Sequence, residues 1–202
     1  MDREERYLDQ RVFKTKTSLE ESLLKLMEQK TFSDIYVTDI INGAGLNRGS
    51  FYNHYKDKEN LLDTIMEKKN DELIFAYREP FLNNRPYIVS KLPASEVKLF
   101  NNIQKNAEYY SIMLNSDDSG RLENKISDSF RKINLEELNV KTDKINSEMM
   151  ASYMAHAIVG LIKEWVRGGY QHEAEFMNEQ LLELNRTAPN KTFHTRIKNF
   201  RK

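Results

Sequence analysis

The side chains best suited to reading another molecule fall in one short run, Asn47-Arg48-Gly49-Ser50-Phe51-Tyr52-Asn53-His54-Tyr55-Lys56-Asp57-Lys58. An arginine fork can donate two hydrogen bonds to O6 and N7 of guanine, and short polar neighbours can approach base edges closely. Tyr, His and Lys at the margins of such a helix suit phosphate oxygens, which fix register on a duplex without reading its sequence. Asn47 is a good N-cap for a helix beginning at Arg48, because its side chain can accept from amides of the first turn. Gly49 inside that helix costs roughly 1 kcal/mol against Ala, which speaks for a close approach to something. Taken singly, each residue has a plainer role, Tyr52 as half-buried packing and His54 as a surface donor. Their order and spacing on one helix point to nucleic acid.

Other chemistries find little support. The chain has no Cys, which excludes disulfides and thiolate metal sites, and its four His (His54, His156, His172, His194) are scattered. No phosphate loop, nucleophile elbow or metal-spaced His pair occurs, so no catalytic residue, metal site or cofactor is expected. No apolar run approaches the ~20 residues that span a bilayer. Asp2 to Arg6 are all charged, with no apolar stretch like that of a secretory signal, and a cytoplasmic location is expected. Acids and bases balance at 31 each, so DNA contact must come from a few well-placed groups rather than a broadly basic surface. The charge is uneven: Arg186, Lys191, Arg196, Lys198, Arg201 and Lys202 form a basic tail with no acid among them.

The elements that must hold the run in place read as helices throughout. With 39% apolar and 31% charged residues but only 7 Gly and 4 Pro, the composition suits a helical protein with solvated faces. Val12, Leu19, Leu23, Leu26 and Met27 recur at helical spacing between about 11 and 29. Val37, Ile40, Ile41 and Ala44 mark a short helix, and a turn at Gly45 leads into the one beginning near Asn47. A long helix with Leu61, Leu62, Ile65, Met66, Leu73 and Tyr77 follows and should stop at Pro80. Further helices are predicted over about 95–114, 121–138, 143–167 and 173–185, after a Pro- and Asn-rich linker over 80–93.

The run from Ile35 to Leu62, above all Gly45 to Glu59, resembles the tetracycline-repressor (TetR) family of bacterial one-component regulators. The family pattern, approximately Ala-Gly-Val-Ser-x-Gly-Thr-Phe-Tyr-x-His-Phe-x-x-Lys-Glu-x-Leu, is matched or conservatively replaced at nearly every slot. The resemblance implies an all-α fold: an N-terminal three-helix helix-turn-helix DNA-binding domain plus a C-terminal helical ligand-binding and dimerisation domain. The expected divisions are 1–57 for the DNA-binding domain, with the helix-turn-helix at about 35–55, then a connecting helix 58–79. An effector and dimer domain over 80–186 and the basic tail 187–202 complete the chain. Carried over by position, Thr38, Asn47, Arg48, Gly49 and Ser50 fall where the family contacts bases or the adjacent backbone. Tyr36, Tyr52, His54 and Lys58 fall where it contacts phosphates, although Tyr36 replaces the usual small Thr or Ser.

The helix over 149–166 is apolar around much of its circumference and must be covered from two directions. Its own domain supplies one cover. The other is either further burial within the chain or, as the resemblance implies, a second copy of it. That contact is expected through Ala155, Ile158, Ile162, Val166, Met177, Leu181 and Leu184. Aromatic and Met residues crowd the same region, and Phe100, Tyr109, Tyr110, Met113, Met150, Tyr153 and Met154 are expected to line an effector pocket, though such residues fill ordinary cores equally well. The expected partners are thus double-stranded operator DNA, a second copy of the chain and a small-molecule effector, with no membrane. The expected function is a repressor released by its effector, with an activator or a protein-binding adaptor as alternatives.

Overall fold

The computed structural model describes residues 3–81, 92–136 and 145–186, with side chains described from Gln10 and that of Phe81 excepted. Most of the expected 80–93 linker and the basic tail lie outside the described residues. Among those described there are nine α-helices and no strand. They are α1 (Arg3–Met27), α2 (Val37–Gly43), α3 (Arg48–Tyr52), α4 (Lys58–Arg78), α5 (Leu99–Lys105), α6 (Ala107–Asn115), α7 (Ser119–Glu136), α8 (Ser147–Arg167) and α9 (Ala174–Arg186). A 3-10 turn at Phe32–Asp34 joins α1 to α2.

The N-terminal helices form a head because their apolar positions converge. Leu19 and Leu23 of α1, Ile35, Ile40 of α2, Phe51 of α3 and Leu61, Leu62 of α4 are all fully buried. The head's core therefore draws on the first two turns of α4. Two glycines permit the tight crossing of α2. Gly45 has φ +64, with its amide on the Asn42 carbonyl and the Leu46 amide on the Ile41 carbonyl, so it ends α2 as an αL cap. At Gly43 an added Cβ would lie 2.4 Å from Ser22 Oγ, which itself donates to the Ile40 carbonyl at 2.8 Å. α1 and α2 pack that closely only because Gly43 has no side chain.

α4 leaves the head and runs beside α7. Arg121 reaches Asp63, Lys125 reaches Glu67, Asn70 donates to Ser129 and Tyr77 to Asn134. The partners advance together along both helices, so α4 and α7 are parallel neighbours, with charged pairs nearest the head and neutral ones further on. On its other side α4 meets the α5–α6 pair, where Lys69 donates to Asn106 at 2.7 Å.

One expected helix is broken. The apolar period predicts a single helix over about 95–114, but it divides at Asn106 (φ −110, ψ 30) between α5 and α6. The Asn106 amide group donates to the Asn102 carbonyl and accepts from Lys69. Asn side chains that bond nearby backbone compete with helix in this way. No described helix is long and apolar enough to cross a membrane.

Candidate nucleic-acid interface

α3 is only five residues long and is held by its first cap. The Asn47 side chain accepts from the Ser50 amide at 2.8 Å and from the Ser50 hydroxyl at 3.1 Å. A Cβ at Gly49 would come within 3.3 Å of that same Asn47 oxygen, which gives Gly49 a local reason beside any approach to DNA. Phe51 is the anchor, fully buried, edge-on to Tyr52 at 5.3 Å and tilted against Tyr55 at 5.9 Å. With Phe51 inward, Arg48, Gly49, Tyr52 and Asn53 are exposed, and Ser50 and His54 half-buried. The Arg48 guanidinium rests 5.5 Å from the centre of the Tyr52 ring, one helical turn along, and pairs with no carboxylate among the described residues. It is oriented outward and available. Asn47→Ala should lower unfolding free energy by about 1 kcal/mol, read from the urea midpoint, with Asn47→Asp retaining most of it.

α2 contributes its own outward face. Tyr36, Thr38 and Asn42 are exposed, and Asn42, one turn beyond Thr38, was not singled out by the sequence pattern. The helix start is fixed by Asp39, which accepts from the Tyr36 amide at 3.0 Å and from Lys30 at 2.7 Å. The Lys30 hydrogen bond, then that of the Tyr36 amide, holds its carboxyl below the ordinary value of 3.8. A lowered carboxyl pKa means this cap is intact above the ordinary value and is lost as pH falls through the lowered one.

Lys58 is placed differently from its expected role. Its ammonium donates to the carbonyls of Phe32 (2.8 Å), Ser33 (3.1 Å) and Ile35 (2.8 Å). The amide end of α4 is also partly occupied, since the Asp57 carboxylate accepts from the Asn60 amide at 2.7 Å. Lys56, two residues earlier, is exposed and pairs with no carboxylate among the described residues. It is the cation that the family spacing alone would pass over. Tyr55, which closes this turn, is buried with its hydroxyl 3.4 Å from Glu20; burial and then the Glu20 charge push its pKa up.

Residues 21–65 match the sequence profile of the bacterial regulatory proteins, tetR family, and residues 94–187 match that of a transcriptional regulator C-terminal region. The chain belongs to the TetR family. It is 32% identical over 71 residues to an uncharacterized HTH-type transcriptional regulator, YxbF, of Bacillus subtilis (strain 168). That match covers 35% of this chain and only 19% of the relative's length. Among solved structures, a TetR-family regulator from Syntrophomonas wolfei superposes with a TM-score of 0.67 at 17% identity, covering 90% of this chain and 97% of the other. The fatty acid degradation regulator FadR from Bacillus halodurans gives 0.61 at 14% identity, covering 84% and 93%. The dihydroxyacetone kinase operon activator DhaS gives 0.57 at 21% identity, again covering 84% and 93%. At these identities the likeness is one of fold. This TetR-family chain is a transcriptional regulator, with its DNA-binding helices at the N-terminus.

The C-terminal half of the TetR-family chain sorts the expected pocket and dimer residues by burial. Phe100, Tyr109, Tyr110 and Met113 are fully buried, with Phe100 edge-on to Trp165 at 5.3 Å and Tyr109 edge-on to Tyr110 at 5.0 Å. Met150 and Met154 are half-buried, whereas Tyr153 is 65% exposed and faces outward rather than into the domain. The expected dimer set needs the larger correction. Ala155, Ile158, Ile162 and Val166 are 0–5% exposed within the single chain, and Met177 and Leu181 are also buried. All six are thus covered within the single chain, where α8 packs against α7 and α6, and α9 against α5. Only Leu184 of that set is exposed, at 57%. The open stripe of α8 is Met149, Tyr153, Ala157 and Gly160, and that of α9 is Phe176, Gln180 and Leu184.

A cleft of about 320 Å³ opens between the end of α1 (Met27, Glu28) and the end of α6 (Ser111, Ile112, Asn115, Ser116), away from the expected pocket residues. Among the described residues, four buried polar atoms have no hydrogen-bond partner: Asn70 Oδ1, Asn102 Oδ1, Tyr109 Oη and Asn134 Nδ2. Three of these residues sit on the helices that flank α4, and the fourth on α4 itself. Burial, and then the Glu72 charge, push the Tyr109 hydroxyl pKa up, so it stays protonated as a donor.

Proposed function

We propose that this regulator binds a palindromic operator as a homodimer, represses the genes behind it, and is released by a small-molecule effector. The observation that carries the reading is the outward face of α2 and α3. Arg48 is exposed there and pairs with no carboxylate among the described residues, with Thr38 and Gly49 beside it to meet base edges and Asn47 and Ser50 shaping the helix start. Tyr36, Tyr52 and His54 flank them at the level of the phosphates, joined by Lys56. Two-fold pairing is supported by the exposed apolar stripe of α8 and α9, Met149, Tyr153, Phe176 and Leu184, which a second copy would cover. An effector is supported by the four unpartnered polar atoms around α4, since a buried polar group without a partner costs stability until one is supplied.

Selection of bound sequences from a random DNA pool tests this directly. The expected result is a two-fold symmetric site whose half-site centres lie about 10–10.5 bp apart or a multiple of that. Enrichment of a single asymmetric site would reject the dimer, and no enrichment would reject sequence-specific binding. Where a ligand screen by thermal shift yields an effector, operator DNA should lower its affinity by the same factor by which it lowers operator affinity. Equal affinities with and without operator would reject the coupling.

A further inference from the structure

We propose that Lys58 is a positioning residue that latches the start of α4 to the turn leading into α2, and is not a phosphate ligand. An ammonium has three donors and no acceptor. Here three carbonyl oxygens at 2.8, 3.1 and 2.8 Å take all three, leaving no proton for a phosphate. The same ammonium lies 4.7 Å from the centre of the buried Phe32 ring, which closes one side of the cage.

The three acceptors explain why a cation belongs there. Phe32, Ser33 and Ile35 span the 3-10 turn Phe32–Asp34 and its C-cap; the Phe32 carbonyl already accepts from the Ile35 amide at 3.2 Å, while those of Ser33 and Ile35 lie at the end of the turn, where the final carbonyls lack intrahelical amide partners. They also carry the negative end of the turn's dipole, so a full positive charge is the fitting partner. The chain that leaves Ile35 enters α2 at once, through the extended residue Tyr36. On the other side Lys58 is the first residue of α4, the helix that continues beside α5 and α7. Lys58 thus connects the helix shared by both halves of the chain to the position of Tyr36 and Thr38 on the DNA face. A shift of the α4 start must carry the α2 start with it.

The proposal rests on the head binding DNA, but one of its measurements needs no DNA, so the two can fail separately. In the full-length Lys58→Met variant, hydrogen exchange of amides 32–39 in the free protein should quicken about tenfold, the loss expected when one charge-assisted contact is removed. Operator affinity should fall by a similar factor at every salt concentration, with the slope of log K against log salt unchanged. Ethylation interference should lose the phosphates touched from the start of α2 while those touched from α3 remain, which general destabilisation would not produce. Should Lys58→Met fail to fold, Lys58→Arg keeps the charge for a phosphate, but its planar fork cannot meet three converging carbonyls. It should then show the same quickened exchange and the same selective loss. A slope that becomes shallower by about 0.9 per lost phosphate contact in Lys58→Met overturns the proposal. Unchanged exchange over 32–39 in whichever variant folds overturns it as well.

Discussion

Tyr153→Arg combined with Leu184→Arg should give a folded monomer whose operator affinity falls about 10²–10⁴-fold. Both side chains are largely exposed in the single chain, at 65% and 57%, so the charges are solvated wherever no partner covers them. Covered by a second copy, the same charges would lie unpaired in an apolar contact, which is costly. Two linked half-site contacts exceed one by about the stated factor, and separating the subunits removes that gain. The comparison variant is Ile162→Asp. Ile162 is 1% exposed within the chain, so a carboxylate there must destroy the fold rather than the assembly. Sedimentation at micromolar concentration with circular dichroism separates the two. A double-arginine variant that remains dimeric would place the interface elsewhere, and a soluble, folded, monomeric Ile162→Asp would reverse the assignment of the α8 faces.

The faces of α8 are where local sequence pattern reaches its limit. α8 carries two adjacent apolar stripes, and period alone says that both need covering. Which one faces α7 and α6 depends on residues far away in sequence, and the wider stripe through Ala155, Ile158, Ile162 and Val166 is the one that faces inward. The contacts of Lys58 are hidden for the same reason, since its three acceptors lie 23 to 26 residues earlier and no local pattern announces them. The aromatic and Met residues of the expected pocket are ambiguous for a different reason: Phe100, Tyr110 and Met113 are the same residue types whether they line a cavity or fill a core.

The helix-turn-helix was legible because its determinants are local. The αL turn at Gly45, the Asn47 cap three residues before Ser50, and Phe51 directed inward all act within one or two turns of chain. The break at Asn106 was local too, but a single Asn inside an apolar period is a weak signal until its side chain is seen bonding Asn102 and Lys69.

Arg48→Ala should lower affinity for the preferred operator by about 1–3 kcal/mol per half-site and relax the choice of base at one position in each half-site. Arg48 is the first residue of α3, exposed, with its guanidinium held over Tyr52 and with no carboxylate among the described residues to compete. A cation–π contact at an exposed site contributes only about 0.5–1 kcal/mol. A bidentate pair with guanine is worth about 1–3 kcal/mol of discrimination, so leaving the Tyr52 ring for a base edge is favourable. Removing the side chain touches nothing in the core, and the fold and the dimer should persist. A phosphate contact would behave otherwise, weakening all sequences about evenly and making the salt dependence shallower by about 0.9 per contact. Tyr52→Phe serves as the control, because it keeps the ring beneath the guanidinium but removes the hydroxyl; it should weaken binding without altering base preference. Competition binding against single-base operator variants, repeated at two salt concentrations, distinguishes these outcomes. Unchanged base preference in a folded, dimeric Arg48→Ala would mean that the start of α3 does not enter the major groove.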